Sequence, residues 1–425
     1  MVDVGNMRTR SWDTLRDERG IAMVVVMGVV AILFVLTTML LVVVNYTIAG
    51  TRQQELRVKT VHIADAGINA YLYQLRRDPI YYSTHPMLTG TQDDGRWVVT
   101  ATAPTTATPL TLRCEGSLLS QNTSKTVVAT VRFPTFADYM FLADANINIG
   151  SGATIHGKVR TNGNLDNAGT ITKQAYAKGT ITGTGAFGTL LPSGTQAKYP
   201  NQPKIDFAQV TADTDVILAA AQVAGSYYGP SLAKGYRITF SGANYTIEKV
   251  TAIASNGNLT VTAVAGPRPV PAIGVIYVAD DVWVRGTYNV PETVCSSRDI
   301  YIPEDFKPVD LNSVHTAGLI AQRNIIVPSW YASVPNDMKL TAAMLAQTGS
   351  IYGDLKDGYI KNSITITGSS SYFTYGYFVS MSGSTVLAGF RSRTYSYDDR
   401  LDLYPPPKYP VVHDGSLKVN TWVED

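Results

Sequence analysis

The sequence predicts a mainly β protein carried on a long N-terminal transmembrane α-helix, with an α+β N-terminal part followed by a right-handed β-helix-like (β-solenoid) domain. Three observations predict it. Residues 21–44 form an apolar run without an ionisable side chain, an apolar stripe of helical period continues beyond it to Leu75, and from Asn146 onward single aliphatic residues are set among Gly, Asn and Thr.

The apolar run comes first. At about 1.5 Å per residue it crosses the roughly 30 Å hydrocarbon core as a helix whose backbone polar groups are bonded internally. Gly28, Ala31, Thr37 and Thr38 are its small or weakly polar members, and they allow another helix to approach closely. Arg8, Arg10, Arg16 and Arg19 precede the run, so the Lys/Arg count places residues 1–20 in the cytoplasm. A secretory signal fits poorly: its apolar core is about 7–15 residues, and Thr47-Ile48-Ala49 is a weak cleavage exit.

Beyond Asn45, Val61, Ala64, Ile68, Leu72 and Leu75 recur at spacings of three and four, with Lys59, His62, Asp65, Asn69 and Gln74 between them. One stripe is apolar and the rest is wet, which is the signature of a helix packed on one side. Pro79 stops it, so the helix is expected over 21–78, a rod roughly 85 Å long. Short Val/Thr-rich runs at 96–101, 110–115 and 125–133 then read as an antiparallel meander within 79–137. A sheet that small needs the helical stripe to cover its apolar face.

Over 138–425 the pattern of Asn146-Ile-Asn-Ile-Gly and Ala153-Thr-Ile-His-Gly157 supplies what solenoid rungs require: one or two inward aliphatics per strand, then a turn residue. A β-sandwich with glycine-rich hairpins is the rival on the same cues. A helical excursion is expected near 204–223, after which strands return at 236–240, 245–250, 259–264 and 275–286 and continue to 363–369.

Composition narrows the function. The 425 residues carry a net charge of +2 with 35 glycines, and no basic stripe marks a nucleic-acid partner. Cys114 and Cys295 fall in different expected domains; their pairing stays open, and neither has a Cys or His at metal-ligand spacing. Gly183-Thr-Gly-Ala-Phe-Gly188 matches G-x-G-x-x-G but lacks the strand and helix that aim amides at a phosphate, so it reads as turn glycines. Asp280, Asp281 and Arg285 invite comparison with a calcium and base cluster, yet adjacent strand residues point to opposite faces. Asp398, Asp399 and Asp402 beside Arg400 read as surface polar residues. No catalytic, cofactor or metal residue is nominated. Tyr372, Tyr375 and Tyr377 offer amphipathic contact area for a sugar or a protein.

Arg19-Gly20 directly before Ile21-Ala-Met-Val-Val-Val, with Ala64-Asp-Ala-Gly-Ile68 further on, resembles the PilX-type minor pilins of type IV pili and the tip pseudopilin of type II secretion. The resemblance implies cleavage after Gly20 by a prepilin peptidase, a mature chain beginning at Ile21, and an assembly helix inserted among those of other pilins. One departure matters: most pilins carry Glu as the fifth mature residue, and here Val25 stands in its place. An unpaired ammonium in lipid is costly, so such a subunit suits a filament end. Further on, the succession Val275 to Gly286, Arg298-Asp-Ile-Tyr-Ile302, Gly318-Leu-Ile-Ala321, Ala342-Ala-Met-Leu-Ala346, Ile366-Thr-Gly-Ser369, Tyr397-Asp-Asp-Arg-Leu401 and Pro405-Pro-Pro407 resembles an uncharacterised β-helical domain often fused to PilX-type N-termini. The expected protein is a non-enzymatic, membrane-anchored subunit whose partners are other pilins or pseudopilins, prepilin peptidase, membrane lipid and surface carbohydrate. The alternative is a polysaccharide-binding or polysaccharide-active β-helix on an uncleaved anchor.

Overall fold

The computed structural model describes residues 14–78, 81–104, 109–120, 123–190, 195–412 and 417–424. The first helix, α1, spans Thr14–Arg77. It starts before Ile21 because Leu-Arg-Asp-Glu-Arg at 15–19 are themselves good helix formers that continue into the apolar run. Its last amides are closed by Asp78 N donating to Gln74 O at 2.9 Å; Pro79 lies outside the described residues. A single turn, α2 (Tyr81–Thr84), follows.

Four strands then form an antiparallel meander: β1 (Met87–Gln92), β2 (Gly95–Thr102), β3 (Leu110–Leu118) and β4 (Ser124–Arg132). β2 and β3 alternate buried and wet residues, so one face lies on α1 and the other faces water. Ile63, Ile68, Tyr71, Leu72 and Leu75 of the helix share a core there with Trp97, Val99, Leu112, Val127 and Val131. Full burial of side chains of this size stabilises by about 1.5–3 kcal/mol each. Two glycines bring the layers together. A Cβ on Gly67 would stand 2.5 Å from Cys114 Sγ, and one on Gly116 would stand 2.4 Å from the Thr60 carbonyl.

The C-terminal strand Lys418–Glu424 completes this sheet by pairing antiparallel with β4, from Lys418 opposite Arg132 to Glu424 opposite Val127. The sequence pattern places those residues in the solenoid, whereas the structure returns them to the first sheet. They return because β4 otherwise presents an open edge, which Val419, Thr421 and Val423 cover. Trp422 Nε1 donates to Asp65 Oδ1 at 2.9 Å, and Arg57 pairs with Glu424 at 3.0 Å, so the chain end also grips α1.

The remaining β structure is a stack of coils joined by parallel ladders. One ladder runs through Tyr227–Tyr228, Val275–Val278, Glu292–Ser296, Ala317–Ala321, Ala343–Ala346, 370–372, Phe141–Ala143, Val159–Thr161, Ala175–Ala177 and Lys198–Tyr199. A second face continues from Val282 through Ile300, Ile325 and Ile351, and a third from Phe240 through Gly286, Phe306, Leu340, Ile366, Tyr395, Ile155, Ile171 and Phe187. Those aliphatic and aromatic positions stack into one core.

Spatial order is not chain order. The chain enters in the middle of the stack at Phe141–Ala143, builds coils outward to Lys198–Tyr199, and crosses through α3 (Val210–Ala224). α3 ends at Gly225, φ 68°, a left-handed position that favours glycine. From the opposite end the chain builds back until Ile360–Tyr372 and Thr385–Tyr397 lie against the first coil. Where the sequence reads one strand over 275–286, the structure turns a corner at Asp280 between Val275–Val278 and Val282–Tyr288.

Candidate functional site

The feature that bears most directly on function is the first half of α1. Residues 22–50 are all exposed, including Met23, Val25, Phe34, Leu40 and Val43. Val25 is 57% exposed, and a Cβ on Gly28 would meet nothing within 4 Å. An apolar surface of this size is costly in water and satisfied in hydrocarbon. The threonine hydroxyls in its apolar run are already bonded within the helix: Thr37 Oγ1 donates to the Leu33 and Phe34 carbonyls at 2.9 Å, and Thr38 Oγ1 to those of Phe34 and Val35 at 2.9 and 2.8 Å. That arrangement suits lipid, which offers no other partner. Ala31 lies on the same exposed rod. α1 is thus one N-terminal apolar helix long enough to be a membrane anchor or a signal sequence. Gly20 and Ile21 lie within it, but their surroundings, like residues 1–13, fall outside the described residues.

The acidic residues that invited a metal reading hold coils together instead. Asp281 Oδ1 accepts from the Asp299 amide at 3.0 Å, Asp299 Oδ1 from the Asn324 amide at 2.9 Å, and Asn324 Oδ1 from the Ser350 amide at 2.9 Å. The coils nearer the entry repeat the device, with Asn146 Oδ1 accepting from Asn164 N and Asn164 Oδ1 from Thr180 N. Each corner residue thereby satisfies a backbone donor of the next coil. The carboxylates are also neutralised: Arg298 pairs with Asp280 at 3.1 Å, and Arg323 pairs with Asp281 and Asp299 at 2.9 Å each. Burial pushes Asp280 up, but bonds from Ser231 and the Asp281 amide outweigh it and leave the group below its ordinary pKa. Asp281 is pushed up, chiefly by burial. Arg285 turns away from both, toward Thr239 and Glu304. Among the described residues no group of three His, Cys, Asp or Glu side chains is placed to hold a metal ion.

Two other expectations are corrected. Asp398 and Asp402 are not simply surface residues. Asp398 is buried and held by Arg400, Nη2 to Oδ2 at 2.7 Å, because the segment after Tyr397 folds back over the coils. Asp402 joins a partly buried charge cluster at the neck, the junction where Arg132 and the returning strand Lys418–Glu424 meet the coils: Arg132 lies 2.7 Å from the buried Asp138, and Lys418 Nζ 2.5 Å from Asp402. Tyr372 is 3% exposed, so it offers no surface contact: it ends an inward-packed strand beside Phe141. Tyr375 and Tyr377 do reach solvent, at 38% and 65%, with ring centroids 4.9 Å apart. Cys114 and Cys295 are buried free thiols in separate cores, and burial pushes the Cys114 thiol up to about 12. Gly183 sits in a corner at φ 94° against the Asn167 backbone, a turn role. The corner ladder of Asp and Asn was missed in the sequence; its signal is an amide or carboxylate after each short strand, obscured by unequal coil lengths.

No protein-family model matches this chain, and no curated protein matches it. Two solved structures are similar to it. The competence-associated pilin ComZ from Thermus thermophilus is 12% identical over 87% of this chain and 97% of its own, with a TM-score of 0.31. An ice-binding protein from the Antarctic ascomycete Antarctomyces psychrotrophicus is 10% identical over 61% of this chain and 95% of its own, with a TM-score of 0.24. These are weak, partial matches, the first to a pilin-type protein.

Proposed function

We propose that the chain is a membrane-anchored, non-catalytic minor pilin or pseudopilin-like subunit, belonging to a type IV pilus or a related secretion filament. One observation carries this reading: a single continuous helix is apolar and wholly exposed over 22–48, yet lays a buried stripe against a sheet over 60–75. Its upper half needs lipid or other helices, and its lower half makes a rigid joint to a displayed domain. In this reading residues 1–20 are a cytoplasmic leader removed after Gly20 by prepilin peptidase, and Ile21 begins the mature chain. Residues 79–137 form the helix-backed sheet, and the ladders that follow close into a right-handed β-helix.

Val25 supports a position at a tip or in an initiating complex. A new N-terminal ammonium buried among helices needs a nearby carboxylate, and the first acidic residue after Ile21 is Glu55, about 50 Å along the helix. The test is photo-cross-linking from Gly28 and Ala31 in cells that assemble filaments. The reading expects capture of a pilin helix. Repeated recovery of the uncross-linked chain, with a major-pilin control that does cross-link, favours instead an anchored polysaccharide-binding β-helix that never enters a filament.

A further inference from the structure

The stack has a seam where the last coil meets the first, and the seam is incomplete. In Thr385–Tyr397 only Tyr395 and Ser396 pair with the entering coil, at Ile155 and His156, while the hairpin partner Val379–Ser382 reaches only to Gly389. Residues 391–394 therefore have no strand beside them on that edge. Arg393 stands in register with Ile364, a core position one coil away, but is itself exposed. Its Nη1 folds back onto the carbonyls of Phe390 and Arg391 at 2.9 and 3.3 Å, occupying acceptors that a neighbouring strand would otherwise take. A basic, exposed side chain thus stands where the neighbouring coil has a core aliphatic, and Ser392 and Thr394 beside it are exposed as well.

We propose that this seam binds an acidic polysaccharide. Arg391 and Arg393 are exposed, and among the described residues neither has a carboxylate within ion-pair reach, although most guanidinium groups of the solenoid are paired. Two unpaired guanidinium groups two residues apart are complementary to carboxylates along a chain, which they hold by charge-assisted, bidentate bonds. The aromatic segment runs beside this strand, the Phe390 amide donating to the Phe378 carbonyl at 2.9 Å, and it carries Tyr375 and Tyr377 with ring centroids 4.9 Å apart. Exposed rings of this kind offer apolar faces to sugar rings while their hydroxyls stay wet. A nucleic acid fits less well, because a phosphate track calls for a longer line of cations than two. The proposal concerns the displayed domain and stands whether or not α1 enters a filament.

The test uses the full chain in detergent micelles, titrated calorimetrically with alginate oligosaccharides as the polyuronate probe. Neutral dextran and a short duplex DNA are the comparison probes. The expected result is saturable alginate binding that weakens as salt is raised, about tenfold weaker in the Arg391→Ala, Arg393→Ala double variant. Tyr377→Ala, at a position exposed enough to leave folding unchanged, is expected to weaken it severalfold at an unaltered unfolding temperature. Absence of alginate binding, full binding by the double variant and by Tyr377→Ala, or equally tight binding of dextran or DNA overturns the proposal.

Discussion

Ile155, in the first coil the chain builds, pairs in parallel register with Tyr395, in the last. The two halves of the stack therefore share one core at the seam, where the Tyr395 ring lies 5.2 Å from that of Phe141. Neither half can present its terminal coil to water without exposing this contact.

It follows that the halves unfold together. Ile155→Ala removes buried methyl groups at the seam and is expected to cost about 2–5 kcal/mol, lowering one common transition. Hydrogen exchange on both sides of the seam, at Val159–Thr161 and Ile364–Ile366, should weaken in parallel; weakening on one side alone contradicts a shared core.

Much of this was legible in the sequence and some was not, for physical reasons. The apolar run and the stripe from Val61 to Leu75 announce an N-terminal helix, because helical period is a local property. The β texture beyond Asn146 is equally local, in single aliphatics separated by turn residues. The pairing of Tyr395 with Ile155, and of Lys418 with Arg132, is not: which coil stacks on which depends on contacts between distant segments that leave no local pattern. Tyr372 and Tyr377 show the same limit within one run of aromatics, since a strand end buries the first and a loop exposes the other.

Glu292 is fully buried, and neither carboxylate oxygen has a hydrogen-bond partner. Burial raises its pKa well above the ordinary carboxylate value. The raised value means that its contribution to stability is full below the unfolded-state pKa of about 4.3 and is lost as pH rises through the folded value. Glu292→Gln, neutral throughout, should be more stable than the parent at neutral pH and show a flatter dependence above pH ~4. Denaturant unfolding across pH measures this; identical slopes for the two proteins contradict it.

The neck depends on the charges around Asp402 and Asp138. Burial pushes Asp402 up, but the Lys418 bond and the nearby Lys158 and Arg132 outweigh it and hold the carboxyl below its usual range. A depressed carboxylate stabilises above its unfolded pKa, and that contribution fades as pH falls through the folded value, below about 4. Arg132→Ala removes the nearest cation of the buried Asp138, leaving it Lys418 at 4.0 Å and Thr135, and is expected to cost about 3–5 kcal/mol in denaturant unfolding. A loss under 1 kcal/mol would show that the cluster does not hold the neck.

The proposed end position in a filament rests on Val25. Antibody raised against residues 270–410 is expected to label filament ends, because in the proposed mature chain Val25 supplies no carboxylate and the next acidic residue in the sequence is Glu55. Regular decoration along the shaft contradicts an end position.

The central claim, a helix processed for assembly, is tested most directly by N-terminal sequencing of the protein extracted from membranes of cells with an active prepilin peptidase. The account predicts a chain beginning at Ile21, and an unprocessed precursor when Gly20 is replaced by a bulkier residue. Recovery of residues 1–20 on the mature chain would contradict it.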